Sequence, residues 1–372
     1  MTATVRRPGP DTPGAGLSDP GGAAPSRTAS REAVDAVRSV RRRRGRRRTT
    51  MMLVVAIAIL AVMATTLMVG RTFYPPGEVL AVILGQDVQG ATFTVGRLRL
   101  PRVVLALVAG LCFGLAGVTF QTMLRNPLAS PDIIGISSGA SAAAAFAIVI
   151  LGLSGAQVSV FAIAVGLAVA LAVYLLSFRH GVSGMRLILI GIGVAAMLDS
   201  LTSYVLERAA QWELEAAMRW LTGSLNGTSW SDVLPVLVVL LVAGPLLLSQ
   251  SRHLSMLQLG DDAAAALGVR TEITRILLIV TAVGLIAFAT AATGPIAFVA
   301  FLSGPIAARI IGPHGSPLLP AALIGALLVL AADLLGQFAF DTRFPVGVVT
   351  GALGAPYLVY LIIRTNRTGA SL

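Results

Sequence analysis

The 372-residue chain contains no lysine, so all 28 of its positive side chains are arginine. That excludes a phosphate-binding loop of the G-x-x-x-x-G-K-[ST] kind, which needs an ammonium group against the phosphates. Schiff-base chemistry and a lysine general base are excluded with it. Cysteine is almost as scarce. Cys112 stands alone in an apolar run, so there is no internal disulfide and no multi-cysteine metal site, and it reads as a small packing residue. His180, His253 and His314 are far apart, each in a short segment between hydrophobic runs. They lack metal-ligand spacing, and no metal or other cofactor is expected on this chain. Charge of either sign is sparse, at 12% of residues.

What fills the sequence instead is apolar: 56% of residues are hydrophobic and the mean hydropathy is +0.84. Such a chain belongs in a bilayer. A hydrocarbon core of about 30 Å takes about 20 apolar helical residues. On that basis the spans fall at residues 51–70, 102–123, 133–152, 157–177, 186–206, 232–249, 273–292, 296–311, 318–337 and 346–363. The expected fold class is therefore all-α, a polytopic membrane protein of about ten transmembrane helices. Three parts are expected: a disordered basic cytoplasmic tail over 1–49, the transmembrane domain over 50–365, and a short cytoplasmic tail over 366–372.

The tail holds 12 arginines within residues 1–50 and ends in RRRRGRRR. Because this run abuts a span, the cytoplasmic bias of positive charge and attraction to anionic lipid explain it better than nucleic acid does. No nucleic-acid partner is expected. Arg179, Arg186, Arg252, Arg270, Arg275, Arg364 and Arg367 fall on the same side as the tail, which places both termini in the cytoplasm. Arg71, Arg97, Arg99, Arg102, Arg208, Arg219 and Arg343 fall on the opposite face, against the bias, and ask for a separate reason.

Two outer loops carry structure of their own. In FYPPGEVLAVILG, Pro75 and Pro76 lead into a short apolar helix. The segment 207–230 sets Trp212, Met218, Trp220 and Leu221 among charges at helical spacing, which suits the headgroup layer. Arg99 and Arg102 flank the helix start marked by Pro101, where positive charge is unfavourable to the dipole. An acidic external partner and snorkelling to lipid phosphate are both open explanations. Ser130–Pro131–Asp132 reads as a helix start, a device repeated at Ser316–Pro317. Gly135, Ser137, Ser138, Gly139 and Ser141 form a small-residue face that favours close helix packing. Asp199 and Asp333 are acids inside predicted spans, where such groups face a cavity or a partner. A proton relay through them is one reading; neutral or hydrogen-bonded carboxyls are the other.

Between the sixth and seventh spans, LGDDAAAALGVR (259–270) sets a short alanine helix between two turns. Gly260 breaks the preceding piece, Asp261 and Asp262 favour a helix start, Ala263 and its neighbours propagate it, and Gly268 stops it. So short a helix needs packing against something else, and it suits a cleft on another protein.

RLPR at 99–102, GLAGVTFQTMLRNPLASPDIIGISSGA from Gly114, LGDDAAAALGV from Leu259, GPIAFVAFLSGPIAARIIG from Gly294, and ADLLGQ…FPVGVVTGALGAP from Ala332 resemble the FecCD-type permeases of bacterial ABC importers. Those importers take up iron(III)-siderophores, haem and vitamin B12. The resemblance covers about residues 50–365 and implies the type II ABC importer permease fold in the cytoplasmic membrane. It also implies a second permease subunit, two cytoplasmic ATP-binding subunits that hydrolyse ATP for a chain without an ATPase site, and an extracytoplasmic substrate-binding protein. The segment at about 250–272, with Gly260, Asp261, Asp262, Ala263 and Gly268, becomes the ATPase-coupling region. Arg99 and Arg102 become docking residues for the binding protein. Arg343 joins them as the substitute for an arginine that some relatives carry where this chain has Gln337. The cytoplasmic gate maps to Val182, Ser183, Gly184 and Met185. An iron(III)-siderophore is the expected cargo, haem or vitamin B12 the alternative, and a proton-coupled carrier using Asp199 and Asp333 the rival of another class.

Overall fold

The computed structural model describes residues 27–177, 184–312 and 314–367. Among the described residues all regular structure is helical. The apolar helices are α1 (Arg27–Met68), α3 (Leu100–Met123), α4 (Ile136–Val149), α5 (Ala156–Ser177), α6 (Gly184–Glu207), α8 (Trp230–Ser249), α11 (Thr271–Thr293), α12 (Val299–Ile310), α13 (Leu318–Phe338) and α14 (Val346–Arg367). Each coincides with one predicted span. Seven of these are long and apolar enough to cross a bilayer, and Ile136–Val149, Val299–Ile310 and Val346–Leu361 are shorter apolar helices. Between them lie α2 (Pro76–Ile83), α7 (Gln211–Leu221), α9 (Ser251–Leu257) and α10 (Asp261–Ala266). We call the end of the bundle carrying α9 and α10 the inner face and the end carrying α2 and α7 the outer face.

The centre of the bundle is α3. Of its apolar stretch, 83% is buried inside the protein, against 17% for α6 and 22% for α1. The reason lies in Gly110, Gly114 and Gly117, which share one side of α3 at helical spacing. A Cβ on Gly114 would sit 2.3 Å from the Ala321 carbonyl oxygen of α13, and one on Gly117 only 1.9 Å from that of Ala300 in α12. A Cβ on Gly110 would lie 2.6 Å from the Ala326 Cα of α13. In a bilayer, where apolar side chains gain nothing by leaving lipid, such backbone contact is what holds helices together. The small-residue face of the third span makes a looser contact with α5, where Gly139 lies against the side chain of Val169.

Several local expectations change. Of the expected disordered tail over 1–49, residues 1–26 lie outside the described residues and residues 27–49 lie within α1. Arginine and alanine are strong helix formers, and the span supplies the nucleus from which a helix propagates. Ser130–Pro131 starts a 3-10 turn, Pro131–Ile134, in place of the span. Gly135 then turns left-handed (φ 76°), and α4 begins only afterwards, which shortens it to 14 residues. At Ser316–Pro317 the side chain does not cap: the buried Ser316 hydroxyl has no hydrogen-bond partner. Its carbonyl and that of His314 accept instead from the Arg48 guanidinium of α1. The proline-led α2 and amphipathic α7 form as the sequence predicts, with Trp212 and Met218 of α7 exposed.

Candidate functional site

On the outer face, a π-helical stretch, Thr92–Arg99, runs directly into α3, so Pro101 lies inside a continuous helix. Arg99 is not left facing outward. Its Nη1 donates to the Leu67 carbonyl at 2.7 Å and its Nη2 to the Thr72 carbonyl at 2.8 Å, while the guanidinium lies over the Tyr74 ring. Leu67 belongs to the last turn of α1, whose carbonyls have no helical partner, and Arg99 satisfies one of them.

Arg102 is committed more deeply. Its Nε donates to Asp333 at 3.0 and 3.2 Å and its Nη2 at 2.7 Å, forming a two-pronged ion pair between α3 and α13. The Asp333 side chain is 3% exposed and that of Arg102 15%. Gln337 donates to the same carboxylate at 2.7 Å, and Arg102 Nη1 donates to Asn226 Oδ1 at 2.6 Å. Asn226 lies in the loop after α7, which is itself pinned: Ser224 donates to the Thr293 carbonyl of α11, and Gly347 of α14 donates to that of Gly223. The basic partner of Asp333 therefore comes from another span, and the expected docking residues Arg99 and Arg102 are engaged within the chain. Arg343 is exposed, as are Arg97, Arg71 and Arg219. Sequence reasoning missed Asn226; only a polar residue in a loop marked it.

Asp199 lies on an exposed side of α6, so the two intramembrane acids sit in different environments. Of the expected gate, Val182 and Ser183 lie outside the described residues, Gly184 begins α6, and Met185 is exposed.

On the inner face, α10 forms as the sequence predicts, with Gly260 (φ 115°) and Gly268 (φ 87°) at the two breaks, and the piece before it is a further short helix, α9. Ala264 is buried under α10, while Asp262, Ala263, Ala265 and Ala266 face outward. Leu259 and Leu267, 67% and 57% exposed, line a cleft of about 490 Å³ with Met256, Arg252 and Ser316. Asp261 turns the other way. Its carboxylate accepts from Arg275 Nη2 at 2.7 and 2.9 Å and from Arg125 Nη2 at 2.8 Å. Arg125 is a functional candidate the sequence reading left out, although its place at the foot of a span beside Asn126–Pro127 was a signal.

A bundle of apolar helices around a glycine-lined central helix, with a short exposed helix on one face, is the architecture of a multi-pass membrane protein. The model of the FecCD transport family matches residues 53–364, and the chain belongs to that family. It is 40% identical over 302 residues to the ferric enterobactin transport system permease protein FepG of Escherichia coli (strain K12), covering 80% of this chain and 91% of that protein. It is 40% identical over 312 residues to the achromobactin transport system permease protein CbrC of Dickeya dadantii (strain 3937), covering 83% and 89%. Among solved structures, it is similar to one described as an inward-facing conformation of a metal-chelate type ABC transporter. The TM-score is 0.76 at 28% identity, covering 85% of this chain and 99% of that one. The fold is that of the type II ABC importer permeases.

Proposed function

We propose that the chain is the permease subunit of an ATP-driven importer that carries an iron(III)-siderophore inward across a bacterial cytoplasmic membrane, with both termini cytoplasmic. The observation that carries this reading is α10, a six-residue helix held between two glycine breaks, with Leu259, Leu267 and three alanines left uncovered. A helix this short is not stable alone, and its open side is a fit for an ATPase subunit. The chain has no lysine for a phosphate-binding loop, so hydrolysis belongs to that separate subunit. A second permease copy completes the conduit, and a binding protein delivers cargo to the outer face through the exposed Arg97 and Arg343. The names of the relatives support a siderophore as the cargo. Haem or vitamin B12 remains the alternative cargo within the family.

The proton-coupled reading is left with Asp199 alone, because the Asp333 carboxylate is occupied by Arg102 and Gln337. Proteoliposomes holding the chain with and without its ATPase subunits separate the two mechanisms, with ferric enterobactin as the probe. Uptake that requires both ATP and the ATPase subunits is expected. Uptake driven by a proton gradient in their absence would sink the proposal.

A further inference from the structure

The two ends of α10 are its weak points as a lever. Gly260 and Gly268 both adopt positive φ and have no neighbouring atoms within 4 Å of where a Cβ would lie. They are open, permissive joints. Force applied to α10 would be absorbed by rotation at these joints unless a lateral tie carried it into the bundle.

Arg125 is placed to be that tie. It follows the last turn of α3 in a left-handed conformation (φ 53°), which among the described non-glycine residues only Phe298 shares. Side chains beyond glycine resist that conformation, so its retention requires compensating contacts. Here the turn sends the guanidinium towards α9 and α10: Nε donates to the Leu257 carbonyl at the end of α9 at 2.9 Å, and Nη2 donates to Asp261 at the start of α10 at 2.8 Å. One planar fork therefore grips both sides of the Gly260 joint. Arg275 holds the same carboxylate from α11, but α11 already follows α10 in the chain, across Gly268. α9 already packs against α3 through the buried Leu254 and Leu257, and Arg125, at the foot of α3 and 136 residues before Asp261, extends that connection to α10 itself. The pair is half exposed, at 43% for Arg125 and 48% for Asp261, and exposed pairs contribute little to stability. Geometry, more than stability, is what this contact supplies.

We propose that Arg125 is a positioning residue of the transport cycle, which through Asp261 and Leu257 locks α9 and α10 to the foot of α3, so that displacement of α10 by the ATPase subunit moves the central helix. The inference rests on the reading of α10 as the ATPase-docking helix. The test uses the assembled transporter in proteoliposomes with its ATPase subunits and binding protein, and ferric enterobactin as the probe. In Arg125→Gln, the ATPase subunits are expected to copurify and hydrolyse ATP, while uptake per ATP hydrolysed falls at least about tenfold. Arg125→Lys, which can reach only one of the two acceptors at a time, is expected to fall between.

Asp261→Asn approaches the same tie from α10 and is expected to lose coupling in the same way, which guards against a folding defect peculiar to one variant. A second readout is spectroscopic. Spin labels on cysteines introduced at His253 of α9 and at Pro127, both exposed, are expected to keep one distance with and without ATP in the otherwise unaltered chain. In Arg125→Gln the distance is expected to broaden and become nucleotide-dependent. Undiminished uptake per ATP in both Arg125→Gln and Asp261→Asn overturns this inference alone. ATPase subunits that fail to bind the unaltered chain overturn the docking reading and this inference with it.

Discussion

Arg102 and Asp333 close the outer end of the seam whose glycines bring α3 and α13 into backbone contact. Along that antiparallel seam Arg102 faces Asp333, Gly110 faces Ala326 and Gly114 faces Ala321. The ion pair and the glycines thus fix one register by two means: polar recognition at the end, and steric fit along the length.

The first prediction follows from the burial of this pair. Removing one partner leaves the other charge buried without its counter-ion, at a cost of about 3–5 kcal/mol, whereas replacing both by apolar groups is often neutral. Arg102→Ala is therefore expected to lower the thermal unfolding midpoint in detergent strongly. Arg102→Met combined with Asp333→Leu should recover most of the loss. A single variant as stable as the unaltered chain would show that the pair is not buried as described.

The glycines give a sharper contrast. A methyl at Gly114 or Gly117 would overlap backbone oxygen, which cannot move aside without separating the helices. Overpacking of this kind costs about 1–3 kcal/mol, and the backbone location puts these sites at the upper end. Gly193 and Gly284 have no atom within 4 Å of the same position. Alanine there is expected to be neutral or slightly stabilising, since it lowers the entropy lost on helix formation. Thermal unfolding of the four alanine variants checks the ordering.

Much of this organisation was legible in the sequence because it is set by local composition. Hydropathy alone located the apolar helices, and Gly260 and Gly268 marked both ends of α10. What was not legible was long-range pairing. Asp333 has no basic residue in its own span, and nothing in its neighbourhood announces Arg102, 231 residues earlier. The arginines that defy the cytoplasmic bias looked alike as a group. In the folded chain they divide: Arg99 and Arg102 hold helix ends and spans together, while Arg97 and Arg343 remain on the surface. Within the tail, residues 27–49 lie in α1, outside what composition alone suggested. Its composition resembles a solvated segment, but arginine-rich sequence adjoining a stable span is also good helix.

That division predicts how docking responds to charge. Rim charges act mainly on association rate and salt dependence. Arg343→Glu and Arg97→Glu are expected to slow association of an acidic binding protein with the nanodisc-embedded transporter about tenfold at low ionic strength. The difference should shrink at high salt, where screening acts within a few ångströms. Biosensor kinetics at two salt concentrations measure this. Arg99→Ala should instead fray the end of α1, seen as faster protease cleavage near Thr72, with little change in the salt dependence of binding.

The uncovered side of α10 supports a final prediction about the opposite face. Leu267 is 57% exposed, and substitution at such a site usually alters stability by no more than about 0.5 kcal/mol. If an ATPase subunit covers it, a carboxylate there is buried unpaired in the complex, and truncation or charge at a buried anchor weakens binding by about 2 kcal/mol or more. Leu267→Asp is therefore expected to leave insertion and the unfolding midpoint near their normal values while the ATPase subunits are lost during copurification. Ala264→Leu, at a buried position beneath the same helix, should do the reverse, disturbing the fold first and association only as a consequence. Copurification and thermal unfolding on both variants separate a docking surface from a merely structural helix, because only a docking surface lets association fail while the fold stays intact.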